Sequence, residues 1–227
     1  MSTKKKLKDY ISKGVRKLKH RKGYGVHSPF AYAVITEVIE EKCPYYAYQK
    51  LSKLYPKDSP VKFKVATLLF RLANRFRARR ILEIGCDAGY SLMPLLMVDS
   101  RNVIHSVAGA DQKRRCLQHL SLFAGFTERV TFIDSIEALP EDYVADMIVV
   151  NGAPASMSPA DFAAWLQLHL SERGIFFVRG IQPGRQMESY WDEICECDHI
   201  EVTMDLYDYG LAIRQPRFFK QHYQVAF

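Results

Sequence analysis

Long apolar runs are absent from this chain of 227 residues, and so are the cysteine and histidine patterns of common metal sites. No run reaches 18 apolar residues, which predicts no transmembrane helix, and no apolar core follows the lysine-rich N-terminus as it would in a secretory signal. The five cysteines include no Cys-x-x-Cys pair, and the seven histidines include no His-Glu-x-x-His motif. We therefore expect a reduced, cytoplasmic protein without a structural zinc site.

The chain does have enough apolar sequence, 48% of its residues, for one large core, and it has a strongly basic N-terminal arm. The arm, residues 1–22, carries ten Lys and Arg residues against Asp9 alone, so it holds a charge of +9 while the other 205 residues sum to −2. Its apolar residues recur at helical spacing and predict an amphipathic helix: Leu7, Tyr10, Ile11, Val15 and Leu18. Such a helix could contact an anionic membrane or nucleic acid, or it could pack by its apolar stripe with the lysines solvated.

The most informative segment of the chain reads Arg-Ile-Leu-Glu-Ile-Gly-Cys-Asp-Ala-Gly-Tyr-Ser, from Arg80 to Ser91. Its apolar start, followed at once by turn signals, predicts a buried parallel strand. Gly85 predicts a sharp turn because it has no Cβ, and Gly89 stands where a helix should begin. A strand, a glycine turn and a helix start together form a site for an anionic or nucleotide-like ligand. The Gly-x-x-x-Gly spacing differs from the dinucleotide motif Gly-x-Gly-x-x-Gly and from the P-loop.

The segments around this motif predict the domain organisation. Before it we expect two helices, one from Ser28-Pro29 to about residue 42 and one over about 61–77. After it, strands and helices alternate, which predicts an α/β fold with a doubly wound, mostly parallel sheet of seven strands. The expected strands are 80–85, 103–107, 130–133, 146–150, 175–178, 201–206 and 210–214, and residues 222–227 extend the last strand or add an edge. The expected intervening helices are 89–98, 111–124, 159–170 and 186–195. We therefore divide the chain into a basic helix and helical cap, residues 1–78, and an α/β domain, residues 79–227.

The Arg80–Ser91 motif resembles the first motif of class I S-adenosylmethionine (SAM)-dependent methyltransferases, and the chain is similar to their small O-methyltransferase members. Four segments carry the resemblance: His27-Ser28-Pro29-Phe30, Leu82-Glu83-Ile84-Gly85, Met204-Asp205-Leu206 with Gly210, and Lys220-Gln221-His222. It implies a Rossmann-like methyltransferase fold with an N-terminal helical cap and SAM as the cofactor.

The resemblance also implies roles for individual residues. Glu83 would hydrogen-bond the methionine end of SAM, and five residues of the glycine turn would line that end: Gly85, Cys86, Gly89, Tyr90 and Ser91. Asp134 and Ser135 would lie beside the adenine amino group, although Asp134 could instead form its own turn. Ala108 and Asn151, at the ends of strands two and four, complete the expected cofactor site. The resemblance assigns no catalytic residue.

The chain departs from the family at three strand ends. Where the family has an acidic residue that binds the ribose hydroxyls, this chain has Ala108, and Asp111 comes three residues later. Where metal-dependent members carry carboxylates for a divalent cation, this chain has Asn151 after strand four and Arg179-Gly180 after strand five. Since Arg179 would repel a cation, we expect no metal site.

Three functions remain open on these residues. The first is metal-independent methyl transfer from SAM to a small-molecule acceptor, which needs chiefly alignment in a dry pocket. The second is a degenerate, non-catalytic methyltransferase fold that serves as a binding or scaffold protein, because acidic residues are missing at three strand ends. The third is a nucleic-acid methyltransferase guided by the basic arm. The sequence allows an oligomer but does not identify the methyl acceptor.

Deleting residues 1–22 should abolish any salt-sensitive binding to RNA or anionic vesicles, because the deletion removes +9 of charge. Binding is measured by fluorescence anisotropy and by vesicle co-sedimentation at about 50 mM and about 200 mM salt. The control is a full-length chain in which the ten Lys and Arg residues of the arm are replaced by Gln. Unchanged binding by either variant would show that the arm is not the anionic contact.

Overall fold

The computed structural model describes Gly14, Arg16, Gly23 and residues 25–154 and 156–227. Apart from the helical residues Gly14 and Arg16, the predicted amphipathic helix over residues 1–22 lies outside the described residues. Arg16 contacts the folded body through an ion pair with Asp205, with its Nη1 2.8 Å from Oδ1 and its Nη2 2.7 Å from Oδ2. Within the described ranges, no helix has both the length and the apolar character needed to cross a membrane.

Within the described ranges 25–154 and 156–227, three α-helices precede the first strand and four alternate with the later strands. The helices are α1, Pro29–Val34; α2, Tyr48–Ser52; α3, Phe63–Phe76; α4, Leu92–Leu96; α5, Ala110–Leu120; α6, Pro159–His169; and α7, Glu188–Glu196. A π-helical turn, Ile35–Ile39, continues α1, and 3-10 turns flank the third strand at Thr127–Arg129 and Ile136–Ala138. Ser28 caps α1 through its side chain, with Pro29 at the first helical position as the sequence predicts.

The described strands form one eight-stranded sheet in the order β3-β2-β1-β4-β5-β7-β6-β8. The strands are β1, Arg80–Ile84; β2, Val103–Val107; β3, Val130–Ile133; β4, Ala145–Val150; β5, Leu170–Arg179; β6, Val202–Asp205; β7, Tyr209–Ile213; and β8, Gln221–Gln224. Strands β1 to β5 are parallel to one another, and β7 runs antiparallel to both of its neighbours. The predicted α/β class is confirmed, and β1 lies in the interior of the sheet between β2 and β4.

Apolar side chains fill the space on both faces of the sheet. Alternate residues of β1 point to opposite faces: Ile81 joins the cluster under α1 to α5, whereas Leu82 and Ile84 join the cluster under α6 and α7. Buried apolar residues of the helical region, from Ala31 to Ala73, belong to the first cluster together with sheet residues such as Val149. The helical region and the sheet therefore share one apolar core.

The number of strands differs from the prediction. Seven were expected, and the structure adds an eighth, β8, which pairs in parallel with β6 over Val202↔Gln221 to Asp205↔Gln224. Of the two possibilities left open for residues 222–227, the structure has the edge strand. It forms because β7 covers only one edge of β6, so the other edge has backbone groups free to pair. Strand β5 also begins five residues before the predicted start, at Leu170.

Several helix ends differ from the predictions. The helix expected over 89–98 is only Leu92–Leu96, because Ala88 and Gly89 have φ values of +61° and +87° that no α-helix contains. The first helix ends at Ile39 instead of about residue 42, where the buried Arg71 donates to the carbonyl oxygens of Val38 and Ile39 at 2.5 and 3.2 Å. Helix α5 ends at Leu120 instead of residue 124.

Gly210→Ala should lower the free energy of unfolding by about 1–3 kcal/mol, the usual cost of overpacking a core. A Cβ at Gly210 would lie 2.5 Å from the ring of Trp191, which packs on β7 from α7. Gly152→Ala is the matched control, because a Cβ there has no atom within 4 Å. Urea denaturation of both variants measures the effect. Equal midpoints for the two variants would show that Trp191 moves aside without cost.

Candidate cofactor site

The residues that follow the parallel strands form one row along the carboxyl edge of the sheet. The register aligns the last residues of four strands, Ile133, Val107, Ile84 and Val150, with Val178 of β5. In sheet order, the residues one position further on are Asp134, Ala108, Gly85, Asn151 and Arg179. The fold therefore places Gly85, Ala108, Asp134 and Asn151, all predicted from the sequence, at one edge where doubly wound proteins bind ligands.

Glu83 is completely buried on the central strand and is the most connected of the predicted residues. Its carboxyl group accepts a hydrogen bond from the hydroxyl of Ser106 at 2.6 Å, which lies directly opposite on β2. The Nδ2 of Asn151 approaches the other carboxyl oxygen to 3.2 Å, and the Ser91 hydroxyl contacts that same oxygen. Glu83 thus joins β1, β2, the end of β4 and the glycine turn.

A protonated Glu83 would satisfy all of these contacts at once. Burial raises the pKa of Glu83 well above its usual value, with Cys86 and Asp87 adding to the rise. A protonated Glu83 can donate to the Ser91 oxygen, which leaves the single hydroxyl proton of Ser91 for Asp87, 2.9 Å away. The Asn151 amide donates to the same Ser91 oxygen at 3.1 Å. Every polar group in the cluster then has a partner.

Asp87 and Arg179 add a charged pair to this cluster. The Nη1 of Arg179 lies 3.0 Å from Oδ2 of Asp87 and 3.3 Å from Oδ1 of Asn151, and its Nη2 donates to the carbonyl oxygen of Pro60 at 2.7 Å. Burial raises the pKa of Asp87, while hydrogen bonds from Ser91 and the charge of Arg179 oppose that rise. The guanidinium therefore lies at the strand end where metal-dependent methyltransferases are expected to hold carboxylates.

The glycine turn is shaped by backbone geometry that other residues would strain. Gly85 has a φ of +81°, and a Cβ there would lie 3.3 Å from the backbone nitrogen of Gly152. A Cβ at Gly89 would lie 3.1 Å from the Sγ of Cys116. Cys86 packs against the same Cys116, whose thiol hydrogen bond lowers the pKa of Cys86 to about 7.

Tyr90, at the end of the turn, is held by aromatic neighbours. Its ring meets that of His119 edge to face, with 4.5 Å between centroids, and that of Tyr55 at 5.6 Å. The Tyr55 hydroxyl donates to the Tyr90 carbonyl oxygen, and His119 Nδ1 lies 2.9 Å from the carbonyl oxygen of Ala88. These contacts tie the turn to α5 and to the helical region.

The residues expected near the adenine and the ribose are not part of this hydrogen-bonded cluster. Asp134 is exposed, and Ser135 precedes the 3-10 turn that follows β3. Ala108 is buried, and its backbone N–H donates to the carbonyl oxygen of Ile133 at 3.0 Å. Asp111 pairs with Arg114 at 3.0 Å and its side chain is 82% exposed, so it does not replace the missing carboxylate.

Asp87 and Ser106 are the site residues that the sequence did not identify. Ser106 has a readable signal, since a parallel register of β1 and β2 places it opposite Glu83. Asp87 lies inside the recognised motif, but its contact with Arg179 joins residues 92 positions apart and has no local signal. Within the described parts of the chain, no group of three or more His, Cys, Asp or Glu side chains is arranged to hold a metal ion.

A cavity of about 350 Å³ opens beside the Arg179 end of the row. Its lining includes Asn151, Arg179, Gly180, Gln182 and Tyr209. Burial raises the pKa of Tyr209, and the nearby Arg179 opposes that rise. The cavity therefore adjoins the glycine turn through Asn151 and Arg179.

Comparison with known proteins identifies the fold at low sequence identity. No family model matches the chain, and no curated protein matches it by sequence. It is similar to the O-methyltransferase TomG from Streptomyces achromogenes, which is involved in tomaymycin synthesis and was solved with SAM, at 18% identity and a TM-score of 0.54 over 76% of this chain and 91% of that one. It is similar to an O-methyltransferase from Bacillus cereus solved with S-adenosylhomocysteine (SAH), at 17% identity and a TM-score of 0.56 over 80% and 97% of the two chains. A SAH-bound methyltransferase from Podospora anserina gives 16% identity and a TM-score of 0.56 over 83% and 96%.

These similarities and the strand order define the class of fold. Seven strands follow the order 3-2-1-4-5-7-6 with β7 antiparallel, and β8 is added outside them. The chain has the fold of class I SAM-dependent methyltransferases, and its structural neighbours are O-methyltransferases of that fold. Identities of 16–18% show the fold alone.

Glu83→Gln should flatten the dependence of stability on pH. Because the folded-state pKa of Glu83 is raised, its stabilising contribution is present in full below its unfolded pKa and is lost as the pH rises through the folded pKa. The free energy of unfolding of the wild type should therefore fall relative to that of the variant as the pH rises above about 4.5, the ordinary pKa of the group, by about 1.4 kcal/mol for each pH unit until the folded pKa is reached.

Urea denaturation at several pH values tests this expectation, with Glu172→Gln, an exposed position of β5, as the control. The control and the wild type should give parallel curves. A parallel curve for Glu83→Gln as well would show that Glu83 titrates normally and carries no extra proton in the folded state.

Proposed function

We propose that the chain binds SAM at the carboxyl edge of β1, β2 and β4 and transfers its methyl group to a small molecule without a divalent metal. The observation that carries the proposal is the row Asp134, Ala108, Gly85 and Asn151, which the sheet register assembles around the glycine turn. SAM supplies a methyl group on a sulfonium, which a nucleophile can accept directly. The protein then has to align two ligands and exclude water.

The residues present fit the proposed cofactor in shape. Gly85 turns the chain with a positive φ directly after the central strand, and a Cβ there would crowd the backbone nitrogen of Gly152, so this tight turn favours a residue without a side chain. Glu83, Ser91 and Asn151 bring polar groups to this end of the site, for the methionine part. Asp134 and Ser135 follow β3, two strands away, for the adenine. Two strand spacings of about 4.8 Å each separate β3 from β1, a span that suits an elongated ligand with polar groups at both ends.

We assign the methyl acceptor to the 350 Å³ cavity beside Arg179. The cavity adjoins the glycine turn through Asn151, so a small molecule in it would lie next to the methionine end of the cofactor. Gln182 and the Tyr209 hydroxyl can form hydrogen bonds that orient a polar acceptor. The Arg179 guanidinium can interact with a partial negative charge on that acceptor. The acceptor therefore needs a nucleophile that is already reactive, because the cavity lining offers no metal-binding carboxylate cluster among the described residues.

Arg179 supports the metal-independent form of the proposal. Its guanidinium is permanently charged and lies within hydrogen-bond distance of Asp87 and Asn151, the two side chains that could otherwise offer oxygen ligands to a cation. A divalent cation placed there would meet a like charge. Methyl transfer should therefore proceed unchanged in the presence of EDTA.

A non-catalytic role is the second candidate, and Ala108 is the observation that favours it. A carboxylate on the ribose hydroxyls would contribute charge-assisted hydrogen bonds, and its absence should weaken SAM binding by about 10–100-fold. Asp111, the next carboxylate along the chain, faces solvent beside Arg114 and does not take its place. A site too weak for cellular SAM would leave the fold as a binding or scaffold module.

Ala108→Glu should strengthen SAH binding about tenfold relative to the wild type, by returning part of the ribose interaction. Ala108→Gln is the matched control, with a side chain of the same length and no charge, and it should recover less. Isothermal titration calorimetry with SAH, in buffer containing EDTA, measures both. Binding to wild type and stronger binding to Ala108→Glu support the proposal.

The opposite results separate the two candidates. Tight SAH binding by the wild type with no gain in Ala108→Glu would mean that another group already binds the ribose. Absence of binding by all three folded proteins would reject the cofactor site and leave the non-catalytic role. Loss of methyl transfer on addition of EDTA, restored by Mg²⁺, would contradict the metal-independent assignment.

A further inference from the structure

The Asp87 carboxylate is surrounded by hydrogen-bond donors from this chain that could also bind the carboxylate of a ligand. Its Oδ1 accepts hydrogen bonds from the backbone N–H of Ser91 at 3.0 Å and from the Ser91 hydroxyl at 2.9 Å. Its Oδ2 accepts from Nη1 of Arg179 at 3.0 Å, and the side chain is only 10% exposed. Three donors, one of them a guanidinium, surround a largely desolvated carboxylate.

These donors are the ones that an amino-acid ligand would need. They lie at the end of the glycine turn, beside Glu83 and Asn151, where the methionine part of SAM is placed under the proposed function. That part of SAM carries a carboxylate and an ammonium group. With Asp87 in its present position, the Ser91 and Arg179 donors are already hydrogen-bonded to Asp87 and are not free for the ligand's carboxylate. That carboxylate would also be repelled by the negative charge of Asp87, whereas an uncharged or cationic group in its place would not be.

We infer that Asp87 determines ligand specificity in the cofactor site: it weakens binding of adenosyl ligands that carry an α-carboxylate and leaves binding of those that lack it unaffected. The inference rests on the proposed function, because it assumes an adenosyl ligand at this edge. The favoured class is adenosine thioethers and sulfoniums without a carboxylate, of which 5′-methylthioadenosine is the simplest stable example. SAM and SAH bind only when the Asp87 side chain moves away, so that Ser91 and Arg179 can donate to the ligand's carboxylate instead.

An alternative is that Arg179 itself binds the ligand carboxylate, and this also requires Asp87 to move away from Arg179. Arg179 has Asp87, Asn151 and the carbonyl oxygen of Pro60 as partners, so its contact with Asp87 must be exchanged before a ligand oxygen can take that place. Removing the Asp87 carboxylate leaves Arg179 and both Ser91 donors in position for the ligand. The effect of the substitution should therefore depend on whether the ligand has a carboxylate.

Calorimetric titration of SAH and of 5′-methylthioadenosine into the wild type and Asp87→Ala tests the inference. The wild type should bind the two ligands with affinities within about tenfold of each other. Asp87→Ala should bind SAH about 10–100-fold more tightly than the wild type does and 5′-methylthioadenosine with nearly unchanged affinity. Asp87→Asn keeps the side-chain shape and removes the charge, so its affinity for SAH should also rise. It replaces Asp87→Ala in the test if that variant does not fold.

Asp111→Asn is the matched control, because Asp111 lies near the same edge of the sheet and pairs only with the exposed Arg114 among the described contacts. It removes the same charge and should leave the ratio of the two affinities as in the wild type. A wild type that prefers SAH by about 100-fold or more, or equal gains for both ligands in the Asp87 variants, would overturn the inference and leave the proposed function standing. If neither ligand binds any folded variant, the proposed function fails and the inference fails with it.

Discussion

A carboxyl group buried at the end of a central strand has to be hydrogen-bonded, and the partners of Glu83 hold the carboxyl edge of this protein together. Ser106 satisfies it from β2, Asn151 from the end of β4, and Ser91 from the far side of the glycine turn. Removing the Ser106 hydroxyl would take away the partner of one buried carboxyl oxygen, which costs about 1–3 kcal/mol. The turn that shapes the candidate site is therefore fixed by the same group that would bind its ligand.

The charged pair of Asp87 and Arg179 extends this cluster toward the cavity. Neither side chain is freely solvated, and each has further hydrogen bonds that satisfy its remaining donors or acceptors. Such a pair is costly to break on one side only, since the remaining charge would stay desolvated. The same pair has two consequences for the proposed chemistry: it puts a permanent cation at the end of β5, and under the proposed function it puts a carboxylate where the ligand's carboxylate would bind.

The sequence predicted the fold well because the signals for the fold are local. Short apolar runs followed by turn residues predicted β1 to β4 nearly to the residue, and Ser28-Pro29 predicted the start of α1. Helix ends were predicted less accurately, because tertiary contacts decide them. Arg71 binds the last carbonyl oxygens of the first helix from a different element, and the positive φ of Ala88 delays the start of α4. Neither effect has a signature in the neighbouring sequence.

For the site, resemblance supplied the candidate residues and the register supplied their arrangement. Gly85, Ala108, Asp134 and Asn151 lie in one row only because four strands are aligned to the same position. The sequence also showed which carboxylates are missing, but it could not show that Asp87 meets Arg179, since residues 92 positions apart are joined only by the fold. The role that we propose for Asp87 in ligand specificity depends on that contact.

A crystal structure of the protein grown with SAH tests the central claim most directly. The account predicts adenosyl density along the carboxyl edge of β1, β2 and β3, with the ligand's carboxylate against Ser91 and Arg179 and the Asp87 side chain rotated out of its present position. Ligand density with Asp87 still bound to Ser91 and Arg179 would contradict the role assigned to Asp87. Density for SAH at any other surface, with the glycine turn empty, would contradict the cofactor site itself.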